Sequence, residues 1–175
     1  MKRHYFLTTK RIGFSLWHKD DIELARSLWG DSQVTKYICA TGIFSENDIY
    51  NRLCKEIENN EKYQVQYWPI FELDSGSFIG CCGLRPYEDI YEIGIHIKPE
   101  FWHKGYGYEA VCKVKDYAFE VLEVSCLFAG HNPYNLASKR LLKKVGFIYK
   151  GDEYYEPTGL YHPSYILEKE FNNVI

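Results

Sequence analysis

Long apolar runs, clustered basic residues and paired cysteine motifs are all missing from this chain, and each absence removes a class of function. No segment approaches the roughly 20 apolar residues that a membrane-crossing helix needs. The N-terminal "MKRHYFLTTKRIGFSLW" is basic but lacks the continuous apolar core of a signal peptide. The expectation is a soluble, cytoplasmic protein with no membrane partner. Lys and Arg number 21 against 24 Asp and Glu, for a net charge of −3, and the basic residues form no stripe. Binding through phosphate-backbone neutralisation needs such a stripe, so no direct nucleic-acid contact is expected. The six cysteines, Cys39, Cys54, Cys81, Cys82, Cys112 and Cys126, show neither Cys-x-x-Cys spacing nor regular histidine partners. They read as reduced, mostly buried thiols, with no metal site expected.

What the chain has in plenty is aromatic side chains, 16 of them tyrosine, enough bulk to fill a sizeable core. Its 175 residues suit one compact domain over residues 1–175. Ile12, Phe14 and Leu16 alternate with polar or small neighbours as a strand does. Asp20 and Asp21 then precede a helix carrying Ile22, Ala25, Leu28 and Trp29 that Gly30 closes. Ser45 with Asp48 three residues on is a capping-box pattern, and Ile49, Leu53 and Ile57 follow at helical spacing. Tyr63 to Leu73 reads as a strand in which Pro69 marks an edge or a bulge. "LDSGS" is a hairpin turn, and Phe78 to Leu84 and Tyr91 to Ile97 complete an antiparallel meander. A helix from about Gly105 to Glu120, a buried strand over Val124 to Ala129, a helix over Asn135 to Val145 stopped by Gly146, and closing strands over Phe147 to Lys150 and Tyr165 to Phe171 make one mixed α/β unit.

"FWHKGYGYEA", Phe101 to Ala110, sits at a strand-to-helix crossing. Two glycines there form either a tight turn or a cradle in which backbone N–H groups converge on a phosphate at a helix N-terminus. "EIGIHIKPEFWHKGYGYEA", followed after one helix and one strand by "HNPYNLASKRLLKKVGF", resembles the GNAT superfamily of acetyl-CoA-dependent N-acetyltransferases. Within it the chain looks most like the ribosomal-protein N-terminal acetyltransferase branch, through Trp-x-Lys-Gly-Tyr-Gly-x-Glu-Ala and the Asn-x-x-Ser that precedes Lys-x-Gly-Phe. The likeness runs from about residue 10 to 171. It implies a mixed, mostly antiparallel sheet of six to seven strands, splayed at the fourth, with about four flanking helices.

The resemblance also implies roles. His103, Lys104, Gly105, Gly107 and Tyr108 would present N–H groups to the coenzyme A pyrophosphate, with the side chains of Lys104, Tyr106 and Tyr108 either solvated or packed. The superfamily's usual Gln or Arg three positions before the first glycine is replaced by Trp102, as it is in the closer branch. The backbone of Ile95 and Ile97 on the splayed strand would bind the pantetheine arm and polarise the acetyl carbonyl, while their side chains fill core. Asn135 and Ser138 would contact the pantetheine or simply cap their helix. Leu142 stands where many members carry a tyrosine acid, which leaves Tyr134 as the substitute. Glu92, or failing it His96, is the base.

The acceptor implied is a primary amine, foremost a protein N-terminal α-amine. An α-amino group with a pKa near 7.7–8.0 is roughly a quarter neutral at cytoplasmic pH, so a weak, water-relayed base suffices. A small amine such as a polyamine, amino sugar or antibiotic is the second reading, and a noncatalytic acyl-CoA-binding regulatory domain the third. Recognition is expected from Ser32 to Ile43, from the first two helices and from an aromatic tail, "EYYEPTGLYHPSY", whose Glu153 and Glu156 would attract a cation. A monomer and a homodimer are both open.

Overall fold

The computed structural model describes residues 3–169. Eight strands form one sheet: β1 (Leu7–Thr8), β2 (Ile12–Phe14), β3 (Tyr67–Glu72), β4 (Phe78–Tyr87), β5 (Ile90–Ile97), β6 (Cys126–Gly130), β7 (Ile148–Tyr155) and β8 (Leu160–Glu168). Five helices accompany them: α1 (Ile22–Trp29), the single turn α2 (Ser32–Thr35), α3 (Glu46–Tyr63), α4 (Tyr106–Glu120) and α5 (Leu136–Val145). The strand order is β1-β2-β3-β4-β5-β6-β8-β7, and among the described residues β5–β6 is the one parallel pair. A parallel pair needs a crossover, and α4 supplies it.

Alternation along the central strands sends side chains into two cores. Trp68 and Ile70 of β3 and Leu84 of β4 pack with Ala110, Val114 and Ala118 of α4 and with Leu142 of α5. Tyr67, Phe71, Phe78 and Cys81 pack on the opposite face with Ala25, Leu28 and Trp29 of α1 and with Ile49 and Leu53 of α3. Trp29 and Trp68 are fully buried, each taking about 150–250 Å² out of water. Among the six free cysteines only Cys81 and Cys82 are buried; the other four are half-buried, so the expectation of mostly buried thiols does not hold.

The capping box at α3 is present in full: the Asp48 backbone N–H donates to Ser45 Oγ at 3.2 Å, and Ser45 N–H donates to the Asp48 carboxylate at 2.8 Å. Pro69 is not on an edge strand, but it sits where β2 stops pairing. Ser15 N–H donates to the Pro69 carbonyl at 3.0 Å, and the reciprocal bond has no donor. The bulge lies one step on, where the β3–β4 register shifts between Ile70 and Phe71. Gly80 beside it has φ +149°, and any Cβ there would meet the His96 carbonyl oxygen at 2.1 Å.

Two further differences concern the ends of the sheet. The aromatic segment after Gly151 is no tail: it is the β7–β8 hairpin, turning at Gly159 with φ +69°. β8 also begins at Leu160, ahead of the expected Tyr165, and the expected end at Phe171 lies outside the described residues.

Candidate active site

The cradle begins where β5 ends. After a short 3-10 turn over Pro99–Phe101 the chain passes through two residues in the left-handed region, His103 with φ +59° and Gly105 with φ +84°. Such alternation turns successive N–H groups to one side. The first helical bond of α4 is Glu109 N–H to the Gly105 carbonyl at 3.1 Å. None of the N–H groups from His103 to Tyr108 meets an acceptor among the described residues. Six orphan donors in a row at a helix N-terminus fit an anion such as a pyrophosphate. Gly107 shows the matching room: a Cβ there would touch the Ile97, Leu141 and Ile95 methyls at ordinary distances of 3.5, 3.8 and 3.9 Å, so protein packing does not demand the glycine.

The loop is pinned from outside. Arg11 donates to the Lys104 carbonyl at 3.1 Å and to Glu109 at 2.7 Å, its guanidinium carbon 4.3 Å from the Tyr106 ring centre. Thr9 hydroxyl donates to Glu109 at 2.6 Å. Lys104 extends over the Phe101 ring and Lys144 over Tyr108, so both cations lie at the rim.

The splay is visible in the ladder. β5 and β6 pair only at Tyr91 with Leu127 and Glu92 with Phe128. Lys98 N–H donates toward β4 at 2.9 Å, and direction alternates along a strand, so the N–H and C=O of Ile95 and Ile97 face the gap. Ile95 is free on that side; the Ile97 carbonyl accepts the Trp102 indole N–H at 2.7 Å, which leaves Ile97 only its N–H for a ligand. Trp102 thereby ties the cradle to the splayed strand. The side chains of Ile95 and Ile97 pack against the α4 core.

On the far side of the gap Asn135 caps α5 through its side-chain oxygen, which accepts Ser138 N–H at 3.1 Å; its amide nitrogen and the Ser138 hydroxyl make no hydrogen bond among the described residues. Tyr134 is 68% exposed, its phenol without a partner among the described residues. Leu142 is core.

Ile93, Ile95 and Ile97 face the α4 core, so the side chains of Glu92 and His96 leave β5 on the opposite face, where α1 and α3 pack. Glu92 is half-buried and makes no hydrogen bond among the described residues. Burial raises its pKa, against the opposing pull of Arg85 and Arg52. His96 is pushed well below its usual value by burial, and its Nδ1 accepts the Trp29 indole N–H at 3.1 Å. With that lone pair committed, the ring keeps its proton at Nε2. Glu92 is the better placed of the two to take a proton.

Around Glu92 lies a group of charges that the sequence reading did not assemble. Glu56 of α3 is fully buried; its carboxylate accepts Arg52 Nε–H at 3.0 Å, Arg85 of β4, and the Tyr67 backbone N–H at 2.8 Å. Arg85 is the cross-strand partner of Glu92, and its guanidinium carbon stands 4.1 Å from the Tyr67 ring centre. Tyr67 in turn presses its hydroxyl against Gly94, where a Cβ would meet it at 2.1 Å. One signal was in the sequence: Glu56 falls seven residues after Ile49 and three after Leu53, on the stripe that faces the core.

An open cleft of about 530 Å³ adjoins the group at Arg52, lined also by Cys39, Thr41, Phe44, Asn51 and Pro157. The Ala40 N–H donates to the Pro157 carbonyl at 2.8 Å, so the loop after α2 and the β7–β8 turn meet there. Of the two acids expected to attract a cation, Glu153 accepts the Tyr87 hydroxyl at 2.8 Å, and neither lines the cleft.

A family model described as "Acetyltransferase (GNAT) domain" matches residues 11–148. "Uncharacterized N-acetyltransferase YnaD" of Bacillus subtilis (strain 168) is 29% identical over 177 aligned residues, covering 95% of this chain and 99% of that protein. Among solved structures, ribosomal-protein-S5-alanine acetyltransferase from Vibrio fischeri aligns with a TM-score of 0.73 at 16% identity, over 92% of this chain and 94% of its own. RimL, a ribosomal L7/L12 alpha-N-protein acetyltransferase in complex with coenzyme A, aligns with a TM-score of 0.76 at 11% identity, over 91% and 95%. Those two likenesses speak to the fold alone. The family match over most of the chain carries more: this protein belongs to the GNAT acetyltransferase family and is an N-acetyltransferase.

Proposed function

We propose that the chain transfers an acetyl group from acetyl-CoA to a protein N-terminal α-amine by direct attack, with Glu92 as base and Tyr134 as acid. The observation that carries the reading is the free edge of β5, with the orphan N–H cradle at one end and an unpaired, half-buried carboxylate at the other. Bound coenzyme supplies the activated acetyl thioester. The N–H groups of His103, Lys104, Gly105, Gly107 and Tyr108 hold the pyrophosphate, and the Asn135 amide and Ser138 hydroxyl steady the pantetheine arm. Ile97 N–H adds to that grip. Ile95 N–H, fixed in a strand, points at the oxygen that gains negative charge and needs no reorganisation to stabilise it. Glu92 receives the amine proton as nitrogen attacks, and the Tyr134 phenol gives one to the departing sulfur.

The openness of the cleft favours a peptide terminus over a small amine, and a single acid at its wall does not make a polyamine site. Asp48 is the one carboxylate in its lining, and its Oδ2 already accepts Ser45 N–H at 2.8 Å and Ser45 hydroxyl at 2.6 Å. Thiol release from acetyl-CoA, followed with peptides that offer either a free α-amine or an Nα-blocked lysine, tests the assignment. Turnover confined to the free α-amine is the expected result. Turnover on polyamines or amino sugars but on no peptide would move the acceptor to the small-amine class.

A further inference from the structure

We propose that the acceptor cleft selects amines that carry a carboxylate close by, and that Arg52 is the residue that receives it. The inference takes the acceptor's position from the acetyl-transfer reading above and adds the acceptor's chemistry.

The argument begins with donors left over. Arg52 spends Nε–H on Glu56 at 3.0 Å, while its two terminal nitrogens find no acceptor among the described residues. Its guanidinium carbon lies 5.3 Å from the Trp29 ring centre and 5.5 Å from that of Tyr67, and its side chain is only 14% exposed. The fork is thus held in one orientation before any ligand arrives, and Arg52 lines the cleft. A second donor is idle in the same group: Arg85 Nε is buried with no partner among the described residues. Preformed guanidinium forks suit planar carboxylates, which accept two parallel bonds.

Charge counting points the same way. Arg52 and Arg85 bring two positive charges, and Glu56 is the one carboxylate bonded to both. Glu92 is the fourth member: ionised, it leaves the group neutral overall, and once it has taken the amine proton the group carries one uncompensated positive charge. A carboxylate brought by the acceptor balances it. Asp48, the one acid in the cleft lining, bonds to Ser45 and to neither arginine among the described residues.

The carboxylate can come from an acidic side chain near a peptide N-terminus or from the α-carboxylate of a free amino acid. Both sources are tested by calorimetric binding to the full chain, with no turnover required. One pair of probes is the peptide amides Ser-Asp-Ala-Ala and Ser-Asn-Ala-Ala; the other is alanine and alaninamide. Wild type is expected to bind the carboxylate-bearing member of one pair about tenfold more tightly, the winning pair naming the source. Arg52→Gln should bring that ratio to near one, and Arg52→Lys, which keeps the charge and loses the fork, should leave it intermediate. Unchanged acetyl-CoA binding in both variants reports an intact fold. Equal affinity within both pairs for wild type, including no binding at all, overturns the inference, and so does an Arg52→Gln variant that keeps the preference. Failure of the transfer reading looks different: the carboxylate preference survives while no acceptor releases thiol.

Discussion

Glu92→Gln is expected to lower kcat by about 10²–10⁴-fold, the range a positioned general base contributes. Acetyl-CoA affinity should stay unchanged. The swap is nearly isosteric, so a loss of rate cannot be assigned to a void. Its pH behaviour gives an independent check. Burial raises the Glu92 pKa, with Arg85 and Arg52 pulling the other way, so the basic form accumulates only as pH climbs above the ordinary carboxylate range. Wild-type kcat/KM should therefore carry an acid limb that the Gln variant lacks, leaving the limb of the acceptor amine near pH 7.7–8.0. Stability should move in the opposite sense to activity. A carboxyl whose folded pKa lies above its unfolded value binds more protons when folded, so stability falls as pH rises through that window. At neutral pH the ionised Glu92 is then a cost, and the Gln variant should melt no lower than wild type. A kcat within a factor of three of wild type would remove Glu92 from the chemistry.

Glu56→Gln should act the other way round, on the fold first. It leaves the Arg52 and Arg85 guanidiniums, 14% and 21% exposed, without the carboxylate that both contact. Breaking one side of a buried pair costs about 3–5 kcal/mol. Because both arginines keep some water and Gln can still accept from Tyr67 N–H, the low end is expected, about 3 kcal/mol. In a domain of this size that lowers Tm by roughly 6–12 °C. Thermal melting of the variant beside wild type decides: a Tm within 2 °C would mean that the ion group stabilises little. Refolded at low temperature, the variant should also turn over slowly, since Arg85 and Glu92 are cross-strand partners.

The features legible in sequence were those fixed locally. The Ser45–Asp48 cap, the turn at Gly76, the αL stop at Gly146 and the left-handed turn at Gly105 each depend on residues within four or five positions, and each stands where local chemistry puts it. Of the β7–β8 hairpin only the outer ends, Phe147 to Lys150 and from Tyr165 on, were legible as strands; its turn half escaped because every residue of β7 except Gly151 is exposed, which erases the alternation that marks a half-buried strand, and because Pro163 lies inside β8. β1, two residues long, carries no periodicity at all. The ion group escaped for another reason. Glu56 and Arg52 are four apart and readable as a helix pair, but Arg85 joins them from 29 residues away and Glu92 from the next strand. Such a group exists only once the sheet has formed. The same holds for Trp102, whose indole bond to the Ile97 carbonyl could not be foreseen from the motif that contains it.

The most direct test of the central claim is calorimetric titration of acetyl-CoA into wild type and into Gly105→Trp. Gly105 has φ +84°, and in the fold a Cβ there has only the Arg11 side chain within 4 Å, at 3.5 Å. The new Cβ therefore meets no backbone of the protein, at about 1–2 kcal/mol of backbone strain, and the indole it carries would crowd the orphan N–H groups. Wild type should bind one equivalent and, at a hundred times Kd, gain about 2.7 kcal/mol of stability that melting confirms. The variant should melt cooperatively and bind at least a hundredfold more weakly. Wild type that takes up no acetyl-CoA, or a Gly105→Trp variant that binds it as tightly, would contradict the account and leave the two glycines as a turn.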